Sequence, residues 1–191
     1  RFLMLETIRE YAGERLASGG DEQSIRDRHA RVYLALAEAA APMYTRGEVK
    51  SWLDRSEIDH DNLRSAFAWA VERQQAEIAQ RISGALWRFW QMRGHLREGR
   101  EKVEIALAVP GGTPASRMAA HEAAGGLAYW QADMVAAEDH YTRALDLARQ
   151  FRAAWVRGGR ARPPAPAEQA MGADGSIGRA APRTGETKAL A

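Results

Sequence analysis

The chain contains no cysteine. That excludes a disulfide framework, a thiolate zinc site and a cysteine nucleophile, and it fits a reducing compartment, so the expected location is cytoplasmic. No basic-then-apolar leader opens the sequence, and no apolar run approaches the roughly 20 residues needed to cross a bilayer; a membrane is not an expected partner. The dipeptide Gly-Lys occurs nowhere, so the loop G-x-x-x-x-G-K-[ST] that wraps nucleotide phosphates is missing. The glycines of GADGSIG at 172–178 have neither a strand before them nor a helix after them and reflect local composition. No cofactor and no catalytic residue are expected on this chain.

A surplus of positive charge is also missing where it would matter. The sequence pI is about 9.2, but residues 152–191 hold seven basic and three acidic side chains against a total of +2, which leaves residues 1–151 at −2. A slightly acidic body carries no electrostatic footprint for DNA or RNA, and no direct nucleic-acid contact is expected from it.

What is present is helical periodicity in a chain that is 46% hydrophobic, sustained from Glu6 to about Arg152. The spacing predicts a short strand at Arg1–Leu5, then helices over 6–18, 21–41 with Asp21 as cap, and 47–56. A fourth helix, with Asp59 or Asp61 as the candidate cap, buries Leu63, Ala66, Phe67, Ala70 and Val71. Residues 75–92, with Ile82, Leu86, Phe89 and Trp90, form a helix apolar on more than one face, which must be covered on two sides. Helices over 95–108, 115–131 and 133–150 complete the set, with PGGTP at 110–114 as a turn. After Phe151 the composition shifts to Arg, Ala, Gly and Pro and the apolar period fades, so residues 152–191 are expected to be disordered.

The helices repeat. Gly94, Leu96, Gly99, Val103, Ala106 and Leu107 match Ala132, Met134, Ala137, Tyr141, Ala144 and Leu145 without a gap, at an offset of 38 residues. A looser copy sets Leu63, Phe67 and Ala70 on Gly99, Val103 and Ala106, at an offset of 36. A small residue early in the second helix, a bulky one four later and Ala three after that is the tetratricopeptide spacing: the small side chain lets two helices approach and the bulky one fills the groove. The expected fold class is all-α, with antiparallel helix pairs stacked as a tetratricopeptide-like solenoid.

Candidate site residues are few. Asp59-His60-Asp61 has the composition of a metal or acid–base cluster, but neighbours one apart on a helix point in different directions, and a helix cap with first-turn acids is the stronger reading. His29, His95, His121 and His140 are scattered singly, so no metal ligand is assigned. The aromatic residues Trp52, Trp69, Trp87, Phe89, Trp90 and Trp130 fall at helical spacing and read mainly as core. Arg93, Arg97 and Arg100 make a weak basic stripe; Arg93, Arg97 and Trp90 are the candidate partner contacts.

The blocks RFLMLETIREYAGERL, RHARVYLALAEAA, WLDRSEIDHDNLRSAFAWAVE, ALWRFWQMRGHLREGREKVEIAL and GLAYWQADMVAAEDHYTRALDLAR resemble, in this order, a segment of bacterial STAND-class ATPase regulators of the LuxR-type and AfsR-like kind. The resemblance covers about residues 1–150. It implies that residues 1–20 are the last strand and exit helix of a winged-helix domain, that 21–151 are a tetratricopeptide-like arm, and that ATP or ADP binds an upstream domain outside this chain. The function it implies is a non-catalytic binding and coupling scaffold, with a protein or small effector on the concave helical face and the upstream ATPase domain as partners. A free-standing tetratricopeptide adaptor that binds a peptide is the alternative.

Overall fold

A computed structural model describes Arg15 and residues 20–157. The expected strand at Arg1–Leu5, the winged-helix remnant and most of the expected tail lie outside the described residues. Among the described residues there are seven α-helices, one 3-10 helix and no strand. They are α1 (Glu22–Ala40), the 3-10 helix Ala41–Thr45, α2 (Val49–Ile58), α3 (His60–Glu72), α4 (Ala76–Arg93), α5 (Leu96–Ala108), α6 (Pro114–Trp130) and α7 (Met134–Arg157).

Local chemistry explains most boundaries. Pro42 cannot donate to the helical ladder, and the chain tightens there into the 3-10 turn. α4 stops at Gly94, whose left-handed φ of 80° costs a glycine nothing. Thr113 caps α6 by accepting the Ser116 N–H at 3.1 Å, with Pro114 as the first helical residue. Asp133 accepts the Ala136 N–H at 3.1 Å and so caps α7. Two expected caps are corrected: Asp21 and Asp59 occupy cap positions, but neither side chain bonds its helix backbone. Asp59 instead accepts the Asn62 amide. The last helix is also longer than expected, because α7 runs past 150 to Arg157 and takes in the first residues of the segment expected to be disordered.

The helices form two layers. α1, α4 and α6 pack side by side, and α3 and α5 lie against them, each joined to its first-layer neighbour in an antiparallel pair. Gln80 near the start of α4 reaches the Ala106 carbonyl near the end of α5, which fixes that pair as antiparallel. α7 returns along α6, placing the Tyr141 ring against Gly125. α4 is the central helix, touching α1, α3, α5 and α6, and buries Ile82, Leu86, Phe89 and Trp90 almost completely. That satisfies the demand for cover on two sides. α2 has no counterpart in the later pairs; it is inserted across the connection from α1 to α3.

The sequence repeat is the burial repeat. Phe67 and Ala70, Val103 and Ala106, and Ala144 are all buried at matched positions. Gly99 sits where a Cβ would stand 2.8 Å from the Trp90 ring, so α5 reaches α4 only because the side chain is absent. Surface chemistry repeats as well: Arg64 on α3 grips Glu98 on α5 at 2.7 and 2.5 Å. At the matched position one pair later, Arg100 on α5 grips Asp133 at the head of α7 at 2.6 Å.

Candidate functional site

Three places on the stack combine polar chemistry with access or burial. The first is an open groove of about 400 Å³ on the α1–α4–α6 layer. Its floor is made where α4 and α6 come closest, at Gly84, whose Cβ would meet the Ala119 Cβ at 3.0 Å. Arg81 spans one wall to Glu38 of α1, donating to both carboxylate oxygens at 2.7 and 2.9 Å. On the other side Glu77 accepts the Thr113 backbone N–H at 2.8 Å, and Ala115 is exposed. The groove therefore touches all three first-layer helices and is edged by charge, with small residues beneath.

The second place is a corner where α2, the head of α3 and the α4–α5 turn meet. His60, the first residue of α3, is buried between Phe89, edge-on at 5.0 Å, and the His95 ring at 4.8 Å. Its Nε2 is enclosed and makes no hydrogen bond; Glu98 Oε1 stands 3.4 Å away. His95 precedes α5, with its Nε2 3.3 Å from Glu57 Oε1, and Arg93 Nε lies 3.8 Å from the other oxygen of Glu57. Ligand atoms of Glu57, His60 and His95 all lie within 4.8 Å of one another. Burial holds the His60 imidazole below its ordinary pKa, while the Arg64 hydrogen bonds keep Glu98 ionised below its own. The corner thus brings together the buried His60 imidazole, the His95 ring and the side chains of Glu57 and Glu98.

The third is the contact of His121 on α6 with His140 on α7, Nδ1 to Nδ1 at 3.1 Å, with Glu104 Oε1 3.1 Å from His140 Nε2. Burial first, and His140 second, push His121 down to about 4.

The candidate partner contacts are dispersed among these. Trp90 is only 1% exposed and its ring fills the notch at Gly99, so it is corrected from partner contact to core. Arg93 is tied to Asp54 and Glu57, and Arg100 to Gln131 and Asp133. The basic stripe is thereby taken up by ion pairs that link helices, and Arg97 is left exposed. Trp130 is the aromatic of the six that stands out in solvent, at 52%. Histidines that the sequence places singly are paired by the fold, His60 with His95 and His121 with His140. Separations of 35 and 19 residues left no local spacing to signal them.

Comparison with known proteins finds a similarity to part of much longer proteins. A 99-residue segment, 52% of the chain, is 38% identical to proteins of Mycobacterium tuberculosis and Mycobacterium bovis that carry the provisional name HTH-type transcriptional regulator. The chain spans about a tenth of the length of these relatives, 11%. No family model matches the chain, and no solved structure matches it. Among the described residues, no helix is long and apolar enough to cross a membrane.

Proposed function

We propose that this chain is a non-catalytic, tetratricopeptide-like arm of a STAND-class, LuxR-type transcriptional regulator, which binds a partner along its first-layer groove and couples that contact to the regulator's nucleotide-binding domain. The observation that carries the proposal is the groove that touches α1, α4 and α6 together. A ligand lying there contacts every helix pair at once, so it senses the relative placement of neighbouring pairs, and stacked pairs communicate through nearest-neighbour interfaces. A partner that binds one spacing of the pairs better than another shifts the stack by its difference in affinity, and a neighbouring domain packed on the stack feels that shift. The similarity to a segment of much longer transcriptional regulators supports a role as a part within such a protein.

The test uses the full-length regulator containing this segment. Ala115→Arg adds a long cation to an exposed position of the groove wall, where folding tolerates it. Nucleotide exchange and operator binding should both change relative to the unsubstituted regulator, while the helical circular dichroism is retained. Identical exchange and operator binding in the two proteins would reject coupling through the groove.

A further inference from the structure

We infer that Glu57, His60 and His95 form a binding site for a divalent transition ion of the zinc class, which pins the inserted helix α2 to the head of α3 and to the α4–α5 turn. Two imidazole nitrogens and one carboxylate oxygen are the donor set such ions select, whereas magnesium and calcium call for oxygen alone. The spacing fits with little movement. Ligand atoms around a tetrahedral zinc at about 2.0–2.1 Å stand about 3.4 Å from one another. His95 Nε2 and Glu57 Oε1 are already 3.3 Å apart, and all three ligand atoms lie within 4.8 Å, so side-chain rotations of about 1 Å close the set.

A second observation points the same way. His60 is 5% exposed, and its Nε2 is enclosed with no hydrogen-bond partner. An orphaned buried ring nitrogen carries an uncompensated desolvation cost, and the fold accepts that cost in a corner where a second imidazole and a carboxylate converge. The outer contacts suit a metal too. Arg93 Nε approaches Glu57 Oε2, which leaves Oε1 directed at His95 and favours a single oxygen as ligand. Glu98, gripped by Arg64 and 3.8 Å from Lys102 Nζ, sets a further carboxylate oxygen, Oε1, 3.4 Å from His60 Nε2 at the edge of the ligand set. Such outer partners fix the orientation of metal-bound groups. Glu57 is exposed and His95 half-buried, so an ion enters from solvent without opening the stack.

The corner also explains why α2 matters. Without an ion, polar links from α2 to the α4–α5 pair include the contacts of Arg93 with Asp54 and Glu57 and of His95 with Glu57. A metal held between Glu57 and the two histidines adds a link that depends on ion concentration, and so makes the seating of α2 responsive to it.

The full chain, freed of metal by chelation, is titrated with Co²⁺ as a spectroscopic probe and with Zn²⁺ by calorimetry. One equivalent of Co²⁺ should develop visible bands of a low-coordinate nitrogen and oxygen site, and Zn²⁺ should displace it. Zn²⁺ should raise the melting temperature of the unsubstituted chain. His95→Ala and Glu57→Gln change residues that are not fully buried; each should weaken Zn²⁺ binding by roughly tenfold or more and remove the thermal shift, with circular dichroism unchanged. His140→Ala, at the other histidine pair, should bind as the unsubstituted chain does. Absence of saturable uptake, uptake that survives the His95→Ala/Glu57→Gln double substitution, or uptake lost in His140→Ala would each overturn the assignment.

Discussion

Replacing Gly99 by alanine tests the packing on which the whole stack depends. The added Cβ would lie 2.8 Å from Trp90 Cε3 and 3.0 Å from both Cβ and Cδ2 of the same residue, where carbon atoms settle at about 3.5–4.0 Å. Trp90 has nowhere to retreat: it is 1% exposed, and one of the threatened atoms is its own Cβ, fixed to the α4 backbone. Overpacking of this kind costs about 1–3 kcal/mol. The opposing effect is the better helix propensity of alanine, up to about 1 kcal/mol. The clash wins, and a net destabilisation of about 1–2 kcal/mol follows, which lowers the melting temperature by about 2–8 °C for a body of this size. Urea denaturation followed by circular dichroism should show a lower midpoint at an unchanged slope. In a Trp90→Leu background the same alanine should cost much less, because the two sites are in contact and their effects do not add. A Gly99→Ala chain as stable as the parent would show that α5 does not need its glycine to reach α4, and would remove the physical basis for the repeat.

Three further outcomes are expected. Ala132 adopts a left-handed φ of 62° in the exposed turn before α7, at the position matched to Gly94; Ala132→Gly should stabilise by about 0.5–1 kcal/mol, read as a higher urea midpoint. The buried Tyr44 hydroxyl is partnered by Ser56 Oγ at 2.7 Å, so Ser56→Ala should cost about 1–3 kcal/mol, most of it recovered in Tyr44→Phe/Ser56→Ala. His121 is held at about 4 against 6.5 when unfolded. The unfolded chain takes up its proton first, so the stabilisation is complete above pH 6.5 and is lost as pH falls towards 4, by up to about 3 kcal/mol. His121→Gln should therefore lose less stability than the parent between about pH 7 and about pH 4.5, and equal losses in the two chains would contradict the burial argument.

The helices and their core ladder were legible in the sequence because apolar spacing reports burial directly. Val103, Ala106 and Ala144 recur at matched positions and are all enclosed. The reading of Trp90 as a partner contact failed although the necessary clue was at hand: the small residue at Gly99 requires something bulky opposite, and Trp90 is what fills it. Asp21 and Asp59 stand at the N-cap positions expected of them but make no capping bond, because composition identifies a capping residue while only geometry decides whether its oxygen meets a free N–H. The histidine corner was out of reach for a different reason. Glu57, His60 and His95 come from three structural elements, and no local pattern announces a meeting that depends on where α2 is inserted.

The relation between the two kinds of repeated contact bears on the coupling proposed for this stack. Arg64 and Arg100 occupy matched positions in successive pairs, and each grips an acid that follows it, Glu98 and Asp133, but ion pairs this exposed contribute about 0–1 kcal/mol each. They therefore fix the register of neighbouring pairs more than they hold the pairs together. Cohesion comes from the close approaches at Gly84 with Ala119, Gly99 with Trp90, and Gly125 with Tyr141, where an added Cβ would stand 3.0, 2.8 and 3.1 Å from its neighbour. Interfaces packed so tightly do not deform gradually; a perturbation at one is either absorbed by loose neighbours or passed on as a change in the spacing of the next pair. The groove opens at one of these approaches, since its floor is Gly84 against Ala119. A ligand that wedges the groove must act on the α4–α6 spacing, and α4 also carries Trp90 into the Gly99 notch of α5. One helix thus links the groove to the opposite layer, so the coupling proposed above would run through α4.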